Sequence, residues 1–252
     1  MPRIGDGTAF DYLRSGESAA LDPFHLGGPL VIDRVLSVTL GLHVLAGVVA
    51  LLAGIVALVT EKGGSRHVRS GRAYAVAMGV VVVTAVPLAV VGGSWFLFAL
   101  AVFSGYLVFA GYRALATKRP DGGAAVDLAG HGTMIVAGAG MIAWGGQMTF
   151  ADSFALAPVL VVFGAIGAGL AVLELRRLRS PPEDPMVWFY RHVVLMGGGF
   201  IATVTAAVTV NLTMVPPLAR WLGPTAVGVP LLLLTVRRYE RQFDAGDSGT
   251  AA

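Results

Sequence analysis

Residues 35–60 read VLSVTLGLHVLAGVVALLAGIVALVT, a run of 26 residues without a single Asp, Glu, Lys or Arg. About 20 such residues are enough for an α-helix to cross the hydrocarbon core of a bilayer. The run therefore predicts a transmembrane helix. Its one titratable side chain is His43, which is costly to place in hydrocarbon and is a functional candidate for that reason.

The rest of the chain has the same character. Of its 252 residues, 56% are apolar and 13% are charged, and the mean hydropathy is +0.75. This is too little polar surface to coat a soluble globule. We expect an all-α, polytopic integral membrane helix bundle of about seven transmembrane helices, with spans at 35–60, 71–91, 94–116, 126–149, 153–175, 187–213 and 218–236.

The basic residues indicate an orientation for these spans. Alternating connections place 14 of the 18 lysines and arginines on one side of the membrane. Basic loops stay in the cytoplasm, so we expect the N-terminus outside and the C-terminus cytoplasmic. The predicted parts are an extracytoplasmic polar segment 1–34, a transmembrane domain 35–240 and a disordered cytoplasmic tail 241–252. The net charge of +3 is then a sign of topology, and no nucleic-acid partner is expected.

Three further histidines lie in or beside the spans. His131 and His192 each follow the predicted cytoplasmic start of a span by five residues, which places both about 7 Å deep at the helical rise. His67 lies in the basic turn before the second span. His43 lies in the outer half of the first span, roughly 20 Å from the other three. The acidic residues between Asp33 and the tail fall at span ends or in loops, which argues against a proton relay through carboxylates.

Helical spacing predicts that the histidines face the interior of the bundle. His131, Met134 and Gly138 share one face of the fourth span, and His192 and Met196 share one face of the sixth. Small residues beside a histidine can leave space for a flat ligand such as a porphyrin. Close packing between helices is the commoner explanation for such a stripe.

Several motifs carry a resemblance to a known family. They are Lys62-Gly63-Gly64, His67-xxx-Gly71-Arg72-x-Tyr74, Gly111-Tyr112-Arg113, His131-xx-Met134 and Trp188-Phe189-Tyr190-Arg191-His192-xxx-Met196. Across about residues 40–213 the chain resembles a family of bacterial multispan membrane proteins of unknown function. The resemblance implies a multi-pass protein of a bacterial-type cytoplasmic (inner) membrane and names no reaction. Many relatives carry a basic or aromatic residue after the fourth-span histidine, where this chain has Gly132.

The leading functional hypothesis is a haem b protein that transfers electrons. Two histidines on facing spans at one depth can bind iron from opposite sides, so His131 and His192 are the expected axial ligands. Met134 and Met196 are alternative axial ligands. His43 is a further candidate ligand, but the outer half of the bundle offers it no evident histidine partner. The expected partners are the lipid bilayer and a redox partner or quinone.

Two alternatives stay open, so the sequence does not decide whether the protein is an enzyme. A zinc-dependent membrane hydrolase would use His67, His131 and His192 as ligands and keep the fourth position for water. A metal-free quinone-interacting or structural membrane component would use a histidine with Tyr106 or Tyr112 at the quinone head group. The chain has no cysteine, which excludes thiolate ligands.

Overall fold

The computed structural model describes residues 28–117, 125–151, 154–180 and 182–249, with side chains described between 31 and 243. This part of the chain contains seven α-helices and no strand. They are α1 (Gly28–Val59), α2 (Ser65–Val91), α3 (Trp95–Ala116), α4 (Ala125–Phe150), α5 (Ala157–Arg179), α6 (Val187–Asn211) and α7 (Pro217–Gly249). All seven are long and apolar enough to cross a membrane. The predicted all-α, seven-span architecture is confirmed.

Helices α1, α2 and α7 extend furthest beyond the predicted spans, because hydropathy marks where a chain becomes apolar and not where the backbone becomes helical. α1 begins at Gly28. α2 begins at Ser65, so His67 lies in its first turn and not in the preceding loop. α7 continues to Gly249, so most of the predicted tail from residue 241 belongs to this helix. Residues 1–27, which form most of the predicted polar segment, lie outside the described residues.

A three-residue turn joins α2 and α3. Gly93 has a φ of +67°, a conformation that residues with a side chain rarely adopt. The N–H of Ser94 donates to the carbonyl of Ala89 at 2.8 Å, and its hydroxyl accepts from the N–H of Leu97. These bonds satisfy backbone groups at both helix ends. The tight hairpin predicted from Gly92-Gly93-Ser94 is confirmed.

Helices α4 and α5 pack closely through glycines. A Cβ atom on Gly138 would lie 2.7 Å from the carbonyl oxygen of Gly164, and one on Gly145 would lie 2.8 Å from that of Ala157. Helices in a membrane associate through such close backbone contact, because lipid provides no hydrophobic drive between them. The glycine stripe of α4 therefore serves packing against α5.

One end of the bundle, here called the basic end, collects most of the described Lys and Arg. Side-chain contacts identify it: His67 of α2 faces His192 of α6, and Phe189 of α6 packs on Tyr239 of α7 at 5.0 Å. Its basic residues are Lys62, Arg66, Arg69, Arg72, Arg113, Arg176, Arg177, Arg179, Arg191, Arg237, Arg238 and Arg241. The helices thus alternate in direction as the loop charges predict.

Helix α3 occupies the centre and packs against α2, α4, α5 and α6. Over the described residues, α4 and α6 do not pack against each other, and α3 lies between them. Likewise α2 and α6 share no backbone contact. Long side chains bridge that gap, as where the Tyr74 hydroxyl meets Thr203 Oγ1 at 3.2 Å. These neighbour relations decide which histidines can meet.

Candidate functional site

Two of the candidate histidines meet at the basic end. His67 lies in the first turn of α2 and His192 in the second turn of α6. Their ring centroids are 6.4 Å apart and the rings are inclined by 80°. Both side chains are half-buried. We refer to them as the histidine pair.

Both rings of the histidine pair use the same nitrogen to bond a backbone carbonyl. Nδ1 of His67 lies 3.0 Å from the carbonyl oxygen of Ala57, and Nδ1 of His192 lies 2.9 Å from that of Gly111. A carbonyl can only accept, so Nδ1 carries the hydrogen in each ring. In the neutral ring Nε2 then carries the lone pair. Metal-binding histidines commonly have this arrangement, because the carbonyl fixes the tautomer and the ring orientation.

The Lys62-Gly63-Gly64 motif explains how His67 reaches Ala57. The last carbonyls of α1 have no partner within the helix. Nζ of Lys62 donates to the carbonyls of Ala57 (3.0 Å) and Leu58 (2.7 Å), and partial burial lowers the pKa of this ammonium. Gly63 turns the chain with a φ of +82°, so that α2 starts with His67 against the end of α1.

Gly111 explains how His192 reaches α3. A Cβ atom at Gly111 would lie 2.8 Å from the backbone nitrogen of Met196 and 2.9 Å from its sulfur. The missing side chain therefore lets α6 approach α3 closely enough for the imidazole to bond a carbonyl. Met196, one turn after His192, fills the space beside Gly111. It also packs against a buried hydrophobic cluster that contains Tyr74, Met78 and Val108.

His131 lies in a separate buried group. Its side chain is 2% exposed, and Nδ1 lies 3.2 Å from the hydroxyl of Tyr106 on α3. Glu174, Asp127 and Arg191 are charged groups close to it. His131 is the seventh residue of α4 and His192 the sixth of α6, so their depths are similar, as the sequence predicts. Depth does not make them neighbours, because α3 separates their helices.

Two buried carboxylates lie beside this group, and both are paired with arginine. Asp127 is 1% exposed and accepts from Nε and a terminal nitrogen of Arg113, at 2.7 Å each. Glu174 is 2% exposed and accepts from Arg191 at 2.7 Å and from Arg177 at 2.6 Å. These pairs connect α3 with α4 and α5 with α6. Both carboxylates lie near helix ends, as expected from the sequence, but they are buried, which the position of the charges along the chain did not indicate.

Sequence reasoning overlooked Glu174 because the residue lies within two turns of a helix end. A signal was present: Gly167, Ala171 and Glu174 recur at i, i+4 and i+7 on α5, and all three are buried. A carboxylate that continues a stripe of small residues faces the interior. A buried cation on another helix then has to neutralise it.

The predicted three-histidine set does not come together. Among the residues described, no three His, Asp or Glu side chains form a group that could hold a metal ion. His67 and His192 are neighbours, whereas His131 bonds Tyr106. Met134, the other methionine considered as a ligand, is fully buried in the core between α3, α4 and α5.

His43 has its nearest polar contacts on α2. Its Nδ1 lies 3.0 Å from Thr84 Oγ1 and 3.1 Å from the carbonyl oxygen of Val81. The neighbouring hydroxyl and carbonyl satisfy this ring nitrogen without a second histidine. The contact ties α1 to α2 in the half of the bundle that lies away from the basic end.

Comparison of the chain with protein-family models, with curated proteins and with solved structures found no match. The resemblance of residues 40–213 to a bacterial membrane family therefore stays a prediction. The histidine pair and the buried charges are the features of the molecule that bear on its function.

Proposed function

We propose that the protein is a haem b electron-transfer protein of a bacterial-type cytoplasmic membrane, with its basic end in the cytoplasm. His67 and His192 are the residues that would hold the haem. This replaces His131 with His67 in the pair expected from sequence. When bound, the haem would supply one-electron redox chemistry between a reduced quinol or redox protein and an oxidised acceptor.

The spacing of the histidine pair carries the proposal. An imidazole nitrogen binds a metal at about 2.0–2.1 Å, and the ring centre lies roughly 1.1 Å behind that nitrogen. Two imidazoles on opposite sides of one iron therefore have centroids about 6 Å apart, whereas two on a tetrahedral ion have centroids about 5 Å apart. The observed 6.4 Å is close to the first of these two values.

Part of the surroundings of the pair fits the chemistry of haem. Arg66, Arg69 and Arg72 are exposed on α2 and project about 100–200° around the helix from His67, so they lie on its outer face and away from the histidine pair. Gly71, one turn after His67, has open space where a side chain would lie. Both ring tautomers are fixed by backbone carbonyls, so each ligand is already oriented.

Catalytic zinc is supported less well. It needs three protein ligands and an open position for water. The described residues offer two neighbouring histidines without a third metal-binding side chain in reach. A haem would need at most two ligands from the protein, because the porphyrin supplies four.

The test is a visible spectrum of the protein purified in mild detergent after expression with ample haem, oxidised and then reduced with dithionite. We expect a Soret band that shifts on reduction and about one haem per chain. In His67→Asn and His192→Asn the amide nitrogen takes the place of Nδ1, so the bond to the carbonyl is kept and Nε2 is lost. Both variants should fold and lose the haem.

His131→Asn and His43→Asn are matched controls, since they remove a buried and a half-buried histidine at other places in the bundle. They should keep the full spectrum. Loss of haem in His131→Asn with retention in His67→Asn would instead assign the pair expected from sequence. Well-folded wild-type protein without a Soret band, and with zinc in metal analysis, would refute the haem proposal.

A further inference from the structure

Helix α7 has a continuous exposed stripe that is apolar in its first part and basic towards the C-terminal end. Val227, Leu231 and Leu234 are about 60% exposed. Arg238 and Arg241 continue the same face at the helical spacing of four and three residues. The apolar part belongs to the membrane span, and the arginines lie at the basic end.

The arginine end of the stripe forms a groove. It has a volume of about 380 Å³ and is lined by Leu234, Arg237, Arg238, Arg241 and Gln242. Within the described chain, none of these arginines makes an ion pair with a carboxylate. Glu240 shares the turn; it projects about 200° around the helix from Arg238 but only about 60° from Arg237, three residues before it. Three arginines and one carboxylate therefore leave a net positive charge directly above an apolar surface.

Aromatic contacts on the opposite face hold this part of α7 in place. Phe189 of α6 packs against Tyr239 at 5.0 Å and against Phe243 at 5.6 Å, and Tyr190 meets Phe243 at 6.4 Å. Each contact is in the range of favourable ring pairs. The arginines are thus carried by a docked helix, with their positions relative to α6 fixed before any ligand binds.

We propose that this groove binds the head group of an anionic phospholipid. The phosphate is held by Arg237, Arg238 and Arg241, and the acyl chains lie along Leu234, Leu231 and Val227. The charge and the shape of the groove both match such a lipid. Basic clusters at the end of a membrane helix attract anionic lipids, and one guanidinium group can donate two parallel hydrogen bonds to two phosphate oxygens. The apolar stripe below the arginines matches the acyl chains. Free phosphate would use the arginines but not the apolar stripe.

The experiment counts lipids on the full chain by native mass spectrometry in detergent, with added phosphatidylglycerol and, separately, phosphatidylcholine of the same acyl chains. Arg237→Gln/Arg238→Gln/Arg241→Gln should bind phosphatidylglycerol at least tenfold more weakly. The matched control is Arg66→Gln/Arg69→Gln/Arg72→Gln, which removes the same charge from exposed residues of α2 at the same end. It should retain binding within about twofold.

An Arg→Lys triple variant at the three α7 positions keeps the charge and should retain most of the binding. Equal loss in the two Gln triples would show diffuse attraction to the whole basic end and would overturn the proposal. Equal loss in the Lys and Gln triples of α7, equal binding of phosphatidylcholine, or displacement of the lipid by millimolar inorganic phosphate would also overturn it.

Discussion

Replacing Glu174 by glutamine tests whether the buried ion pairs hold the basic end together. The side chain is 2% exposed, and its Oε2 accepts from Nε of Arg191 at 2.7 Å. Arg191 is 9% exposed and would keep its charge in a medium of low dielectric. Removing one partner of a buried pair costs about 3–5 kcal/mol. We expect the free energy of unfolding to fall by about 3 kcal/mol.

Two controls separate this effect from a general loss of charge. Arg177 also bonds Glu174, but its side chain is 38% exposed, so Arg177→Gln should cost less than about 1 kcal/mol. The double variant Glu174→Gln/Arg191→Met removes both buried charges and keeps the volume. It should be more stable than Glu174→Gln alone, since no unpaired charge remains.

The assay is reversible unfolding by SDS in mixed micelles, followed by the fluorescence of the four tryptophans. A double-mutant cycle over Glu174 and Arg191 should give a coupling energy of at least about 2 kcal/mol. A stability of Glu174→Gln within about 1 kcal/mol of wild type, or additive effects of the two substitutions, would refute the reasoning. The pair would then not hold α5 and α6 together.

Three further predictions use the same protein. Gly138→Leu should lower the unfolding free energy in SDS by more than about 2 kcal/mol, whereas Gly140→Leu, where a Cβ meets nothing within 4 Å, should change it little; equal effects would contradict the close α4–α5 contact. Tyr106→Phe should cost about 1–3 kcal/mol by leaving a buried histidine nitrogen unpaired, and unchanged stability would count against that bond. Because the chain has no cysteine, Thr213→Cys should react with an impermeant maleimide on intact cells and Glu61→Cys only after permeabilisation; the reverse pattern would invert the proposed topology.

The seven helices were predictable because the bilayer imposes a length and an apolar composition on each span. Helix ends were predicted less well. The polar run from Ser65 to Ser70 is helical although it is too hydrophilic to count as membrane span. Helix α2 starts directly after Gly64, at the end of the turn. Hydropathy carries no information on where the backbone becomes helical. The same limit explains why α7 runs on past residue 236.

The candidate site was predictable in depth but not in lateral position. Helical rise gives the distance of a residue from a helix end, so the similar depths of His131 and His192 follow from the sequence. Which helices are neighbours depends on packing, and α3 separates α4 from α6. His67 became the neighbour of His192 because α2 starts earlier than the apolar pattern indicates.

The basic end contains two polar groups, the buried ion pairs and the histidine pair, and they lie on different sides of α3. On one side, Asp127 with Arg113 and Glu174 with Arg191 tie α3, α4, α5 and α6 through buried charges. On the other side, α2 meets α6 through side chains without backbone contact. The histidine pair bridges that gap. A ligand held by both rings would therefore add a link between α2 and α6 to the existing packing of α2 on α3 and of α1 on α6, a link that a ligand at His131 would not provide.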